Sequence, residues 1–231
     1  MRQLKLFFVN PFDYIEASKE KIVKFYSEHK SALVKQVNNG APFSALVQPT
    51  IDALDALEQS LMDTAVKVAE QKSKTCVVNG YIQLFVDKAI DFEAGIRDKF
   101  KKRSAAYLEF YPNGTKAFYN IKKRSIKEVM AQYIAAFENH QAELGTAKCE
   151  ELKQIRLDYI NARSLQIEQK SETKNKRALW NDCLKQMNEQ AYTNLIAIVA
   201  VYKGKPAKVK IFFDQSIVAN YRHDNKKEKG V

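Results

Sequence analysis

Glycine and proline are scarce, seven and five in 231 residues, and long stretches contain neither. So few breakers beside many Ala, Leu, Lys, Glu and Gln argue against a many-stranded sandwich and for helices. Cysteine is scarcer still. Cys76, Cys149 and Cys183 are odd in number and far apart with no Cys-x-x-Cys, so neither a disulfide framework nor a zinc knuckle is expected. All three read as small buried hydrophobes in a reducing compartment. Long apolar runs are missing too: the longest, Leu195 to Tyr202, has eight residues, whereas a helix needs about 20 to cross a bilayer. No membrane span is expected. The stretch from Met1 to Pro11 has too short an apolar core for a secretory signal, and Pro11 and Asp13 interrupt it, so the expected localisation is cytoplasmic.

What is present is an ordinary globular hydrophobic fraction, 45%, and a net charge of +11. The charge is uneven along the chain. Residues 1–110 hold 16 Lys and Arg against 14 Asp and Glu, a net of +2, while residues 111–231 hold 22 against 13, a net of +9. Such an excess favours nucleic acid, acidic proteins or anionic lipid as partners without specifying one.

Apolar periodicity places the helices. Ile15, Ile22, Tyr26, His29 and Leu33 share a face, predicting a helix over about 12–37 that starts near Asn10-Pro11 and stops at Asn38-Asn39-Gly40. A second stripe runs from Leu46 to Val68, with Pro49 starting or kinking it. A third, Val78, Ile82, Phe85, Ala89, Phe92 and Ile96, steps by fours and threes, and Asn79-Gly80 weakens its first turn. Past the middle, a seam from Ile126 through Tyr133, Phe137 and His140 to Leu144 ends at Gly145. Cys149 to Ala162 forms another. The polar run Ser171–Lys176 reads as a turn or kink, and a last helix carries Trp180, Met187, Ala191, Ile198 and Tyr202. The expected fold is therefore all-α, an elongated antiparallel bundle of about six helices with a central break near Pro112. The expected parts are an N-terminal helical half, 1–111, a C-terminal helical half, 112–221, and a charged flexible tail, 222–231. Two regions stay open between helix and hairpin: residues 107–119, around Asn113-Gly114, and residues 195–213, around Gly204-Lys205-Pro206, which Leu4–Val9 could join as a third strand.

Tyr107-Leu-Glu-Phe-Tyr-Pro-Asn-Gly, Ala162-Arg163-Ser164 and Phe212-Phe-Asp-Gln-Ser-Ile together resemble uncharacterised Bacteroidetes helical proteins of unknown function, over residues 40–220. The resemblance implies helix in both ambiguous regions and a bacterial or phage source. It supplies no catalytic or binding residues.

The candidate site is the stretch 101–125, bracketed by two copies of Lys-Lys-Arg-Ser and rich in aromatics. Lys101, Lys102, Arg103, Lys122, Lys123 and Arg124 could neutralise phosphates while Tyr107 and Tyr111, with Phe110, Phe118 and Tyr119, stack on unpaired bases. A chain reversal at Pro112-Asn113-Gly114 would bring both triplets into one patch. The competing reading fills the end of a bundle with the aromatics and leaves the cations on a solvated face. Metal and catalytic sites are not expected: Tyr26 and Phe137 stand three residues before His29 and His140, where a Glu-x-x-His ligand pair would need Glu, and His223 sits in the tail. No Gly-x-Ser-x-Gly motif, phosphate-binding loop or cofactor signature occurs. The expected function is thus a non-enzymatic structural or protein-interaction bundle, with a protein partner or a second copy on an uncovered helix face. The alternative is a nucleic-acid-associated protein acting through residues 101–125.

Overall fold

The computed structural model describes residues 9–219. The tail 222–231 with His223, and the apolar residues Leu4 to Phe8 considered as a strand, lie outside the described residues. The fold is all-α, with no strand among the described residues. Its helices are α1 (Lys19–Asn38), α2 (Ser44–Asp91), α3 (Glu93–Phe100), α4 (Ala105–Phe110), α5 (Lys116–Tyr119), α6 (Ile126–Asn139), α7 (Gln141–Leu144), α8 (Ala147–Val201) and α9 (Pro206–Lys210). Short 3-10 turns lie at Pro11–Tyr14 and Gln215–Ile217. Both ambiguous regions are helices and turns, not hairpins. Among the described residues no helix is long and apolar enough to cross a membrane.

The chain divides into two compact units, unit 1 of residues 1–66 and 174–231 and unit 2 of residues 67–173. The division expected at 111/112 is not where these units separate: their boundaries fall inside α2 and α8. The reason lies in the polarity of buried positions. Between Leu57 and Val78 the fully buried α2 residues are Ser60 and Thr64, and between Ala162 and Trp180 those of α8 are Gln166, Gln169 and Thr173, so each apolar core stops there. Counted by unit, charge is nearly even: 19 Lys and Arg against 13 Asp and Glu in unit 1, +6, and 19 against 14 in unit 2, +5.

The same polar residues explain why α2 and α8 are longer than the periodicity suggested. In unit 2, Thr173 Oγ1 donates to Gln169 O at 2.8 Å, Gln166 Nε2 to Thr75 Oγ1 at 2.9 Å, and Gln169 Nε2 to Glu70 Oε2 at 2.9 Å. Lys67 Nζ lies 2.9 Å from both Glu70 and Glu172. In unit 1, Lys176 Nζ meets Asp63 Oδ2 at 2.7 Å. The run Ser171–Lys176 is therefore helix whose polar side chains bond across to α2; buried polar groups keep their place only when paired. Asn79-Gly80 sits mid-helix, where surrounding packing outweighs a propensity penalty of about 1 kcal/mol.

Unit 1 begins with Asn10, whose side chain accepts from Phe12 N at 3.0 Å, with Pro11 in the first helical position. The helix expected from there lasts one turn. Ser18 Oγ accepts from Lys21 N at 3.4 Å and restarts the chain as α1, which Gly40 ends at φ +87°. Ile22, Phe25, Tyr26 and Leu33 of α1 pack with Leu54 and Leu57 of α2 and Trp180, Met187 and Ile198 of α8.

At the centre of unit 1 lies His29, 1% exposed. Its Nδ1 is 2.9 Å from Phe212 O and its Nε2 is 2.9 Å from Asn194 Nδ2. A carbonyl only accepts and an amide nitrogen only donates, so the proton is on Nδ1 and the ring is neutral. Asn194 Nδ2 also donates to Thr50 Oγ1 at 2.7 Å, and Thr50 donates to Leu46 O at 2.7 Å. One ring thus ties α1, α2, α8 and the 212–213 segment together, and Phe213 stacks on it at 4.2 Å. Burial, opposed only in part by the Phe212 carbonyl, pushes its pKa down to about 4.

Candidate interaction surfaces

The basic-aromatic stretch belongs wholly to unit 2, and the structure separates its two chemistries. Tyr107, Phe110, Tyr111 and Phe118 are core residues, and only Tyr119, 65% exposed, faces out. The α2 helix ends near Asp91, which frees the carbonyl of Ala89. Tyr111 Oη donates to that oxygen at 2.6 Å and lies 2.7 Å from Tyr133 Oη, which is itself 3.1 Å from Ala89 O. Each hydroxyl has one proton, so Tyr133 donates mainly to Tyr111, and Tyr111 to the carbonyl. Burial raises the pKa of both phenols. Tyr107 Oη donates to Glu93 Oε1 at 2.9 Å, and its pKa rises through burial and then that carboxylate. Phe110 closes the cluster with its ring centroid 5.1 Å from Phe137 and 5.7 Å from Tyr133. Tyr107 and Tyr111, expected to stack on bases, are committed to the core instead. They staple α4 and α6 onto the junction of α2 and α3.

Lys101, Lys102, Arg103, Lys122, Lys123 and Arg124 are all exposed. Lys102 and Arg103 border a cleft with Glu93 and Tyr107, whereas Lys123 Nζ reaches Asn79 Oδ1 at 2.8 Å.

The side of α2 facing away from this core carries a line of small and apolar residues beside exposed Lys72, Gln83 and Asp87. In unit 2, Ala69, Ser73, Cys76, Val77, Gly80 and Leu84 are all exposed, with Ala69, Ser73, Cys76 and Gly80 stepping by four, three and four. A methyl group built on Gly80 would meet no atom within 4 Å. Cys76, expected to be buried, is exposed here, while Cys149 and Cys183 are buried.

His140 is half-buried on α6's C-terminal cap, its ring 4.7 Å from Phe100 and 5.7 Å from Phe110. Its near carboxylate is Glu109, 3.3 Å from Nε2 but not aligned for a hydrogen bond. Glu138, adjacent in sequence, pairs with Lys153 at 3.0 Å. Among the described residues, no three His, Cys, Asp or Glu side chains are grouped as metal ligands. No family model, curated protein or solved structure matches the chain.

Proposed function

We propose that the chain is a non-enzymatic interaction protein that pairs with a second copy of itself along the outer face of α2 in unit 2. The observation that carries this reading is the exposed line Ala69, Ser73, Cys76, Val77, Gly80 and Leu84, with Lys72 beside it, opposite a face already used for the core. Steps of four and three are the spacing by which one helix lies along another, and small side chains allow close axes. An isologous pair sets the same strip against itself.

Sedimentation velocity over a concentration series tests it, with Cys76 as reporter. A dimer that forms a Cys76–Cys76 disulfide on mild oxidation, and that is lost in Val77→Glu/Leu84→Glu, is expected. Both positions are exposed, so the double variant should keep the wild-type unfolding midpoint. A monomer at the highest soluble concentration rejects self-pairing.

The nucleic-acid reading retains one supporting observation: none of the six exposed Lys and Arg enters an ion pair among the described residues. With Tyr107 and Tyr111 buried, such binding would be electrostatic, steeply salt-dependent and indifferent to sequence. Binding to single- and double-stranded DNA and RNA across a salt series, with all six changed to Gln, checks it. No binding at low salt rejects it.

A further inference from the structure

Unit 1 contains a second feature that the proposed function does not use. The 11–16 segment, α1, the end of α8 and the 204–219 segment surround a cleft of about 830 Å³. Its walls are aromatic and aliphatic, including Phe12, Phe25, Leu195, Val199, Val209 and Phe213. Three of these, Phe12, Phe25 and Phe213, are core residues, so the concavity is built from the fold's fixed interior. Phe213 is held in place by its stack on His29 at 4.2 Å. A concave, mostly apolar site of several hundred Å³ with a few polar groups at one place has the form of a small-molecule site.

Charge at the cleft is mainly positive, two lysines against one carboxylate, Glu16. From Glu189 to Asp214 the chain carries Lys203, Lys205, Lys208 and Lys210 with no acidic residue between. Lys205 and Lys210 line the cleft, are exposed, and have no ion pair among the described residues. Glu16 also lines it but has an interaction of its own within the fold. Lys208 extends the positive rim, its Nζ 5.5 Å from the centroid of the Tyr202 ring. Among the described residues the lining offers no histidine or cysteine to support chemistry. Apolar walls and a lysine rim match one ligand class, an alkyl chain ending in an anion.

We propose that this cleft binds a single-chain anionic amphiphile, with the chain against Phe12, Phe25, Leu195 and Phe213 and the anionic head at Lys205 and Lys210. The head is an anion, carboxylate or phosphate, and the test separates the two. Calorimetry below the critical micelle concentration would compare laurate, dodecyl phosphate, dodecanol and dodecyltrimethylammonium on the full chain. Laurate, dodecyl phosphate or both should bind at least tenfold more tightly than the neutral and cationic probes. Whichever of the two is tighter identifies the head. Lys205→Gln/Lys210→Gln should abolish that preference while leaving dodecanol affinity unchanged. Val199→Trp, introduced from a position 46% exposed, should fill the cleft and weaken every probe at least tenfold. If that variant unfolds, the lysine pair alone still decides. Equal affinity for all four heads, no binding, or a preference that survives loss of both lysines overturns the proposal. So does binding to anionic phospholipid vesicles that depends on the lysines but not on Val199→Trp, which would assign the rim to a bilayer surface.

Discussion

The buried histidine gives the sharpest stability prediction. In the native state His29 stays neutral down to about pH 4, while in the unfolded chain it takes up a proton near 6.5. The unfolded state therefore binds more protons between these values, so stability rises with pH through that window and is lost as pH falls through it. Above about 6.5 the contribution is fully present. With those two pKa values, lowering the pH from 7.5 to 5 removes about 2 kcal/mol, approaching about 3 kcal/mol at pH 4. The cause is desolvation, opposed in part by the Phe212 carbonyl and with no charged neighbour, so added salt should not abolish the effect. His29→Asn retains a donor for Phe212 O but cannot titrate. It should be less stable than wild type at pH 7.5 by about 1–3 kcal/mol, from lost packing and the lost Asn194 bond. Urea unfolding of both proteins at pH 7.5, 6.5, 5.5 and 5.0 measures the difference: the gap should narrow on acidification by about 2 kcal/mol. Parallel curves for the two proteins would mean that His29 is not held neutral, and the tautomer assignment would fail with it.

Two further outcomes follow from unit 2. Tyr133→Phe removes one hydroxyl and leaves Tyr111 on the Ala89 carbonyl, so it should cost about 1 kcal/mol. Adding Tyr111→Phe orphans that carbonyl and should cost more than the sum of the two single changes, by urea unfolding of the full double-mutant cycle. Lys101 holds φ at 60° with ψ at 139°, a sparsely populated conformation that costs an L residue about 1–3 kcal/mol and glycine little. Lys101→Gly should therefore raise the unfolding midpoint by a few degrees, and a fall would show that the Lys101 side chain contributes more than its backbone costs.

Much of this architecture was legible because the helix-forming signal is local. Seam residues such as Tyr26, Leu33, Phe85, Tyr133 and Met187 are buried as their spacing predicts, and Gly40 and Gly145, at φ +87° and +78°, end helices. Where one helix stops and another begins was less legible. Polar runs read as turns because a sequence does not show whether Gln169 or Thr173 has a partner on another helix. The division into units was hidden for the same reason: it depends on which buried positions are polar, not on where proline falls. The aromatic stretch misled because Tyr107 and Tyr111 carry the same composition whether they face solvent or a freed carbonyl. The outer strip on α2 had a readable spacing, but the stronger Val78–Phe92 seam on the same helix masked it. Lys205 reads as part of the Gly204-Lys205-Pro206 turn and Lys210 only as a cation in the helix-or-hairpin region after it, and only the return of Phe213 to His29 makes them the rim of a cleft.

The duplicated tetrapeptide amounts to a control experiment run by the protein on itself. Lys101-Lys102-Arg103-Ser104 has two left-handed residues, at φ 60° and 70°, and its serine caps α4 by accepting from Tyr107 N at 3.2 Å. Lys122-Lys123-Arg124-Ser125 has no residue at positive φ, and its serine turns back to donate to Lys122 O at 3.1 Å. Four identical letters are thus spelled in two backbone dialects. The choice is made by the next aromatic that must reach the core, Tyr107 in one case, and by α6 beginning directly with buried Ile126 in the other. Grafting either segment elsewhere would carry its charge along but leave its shape behind.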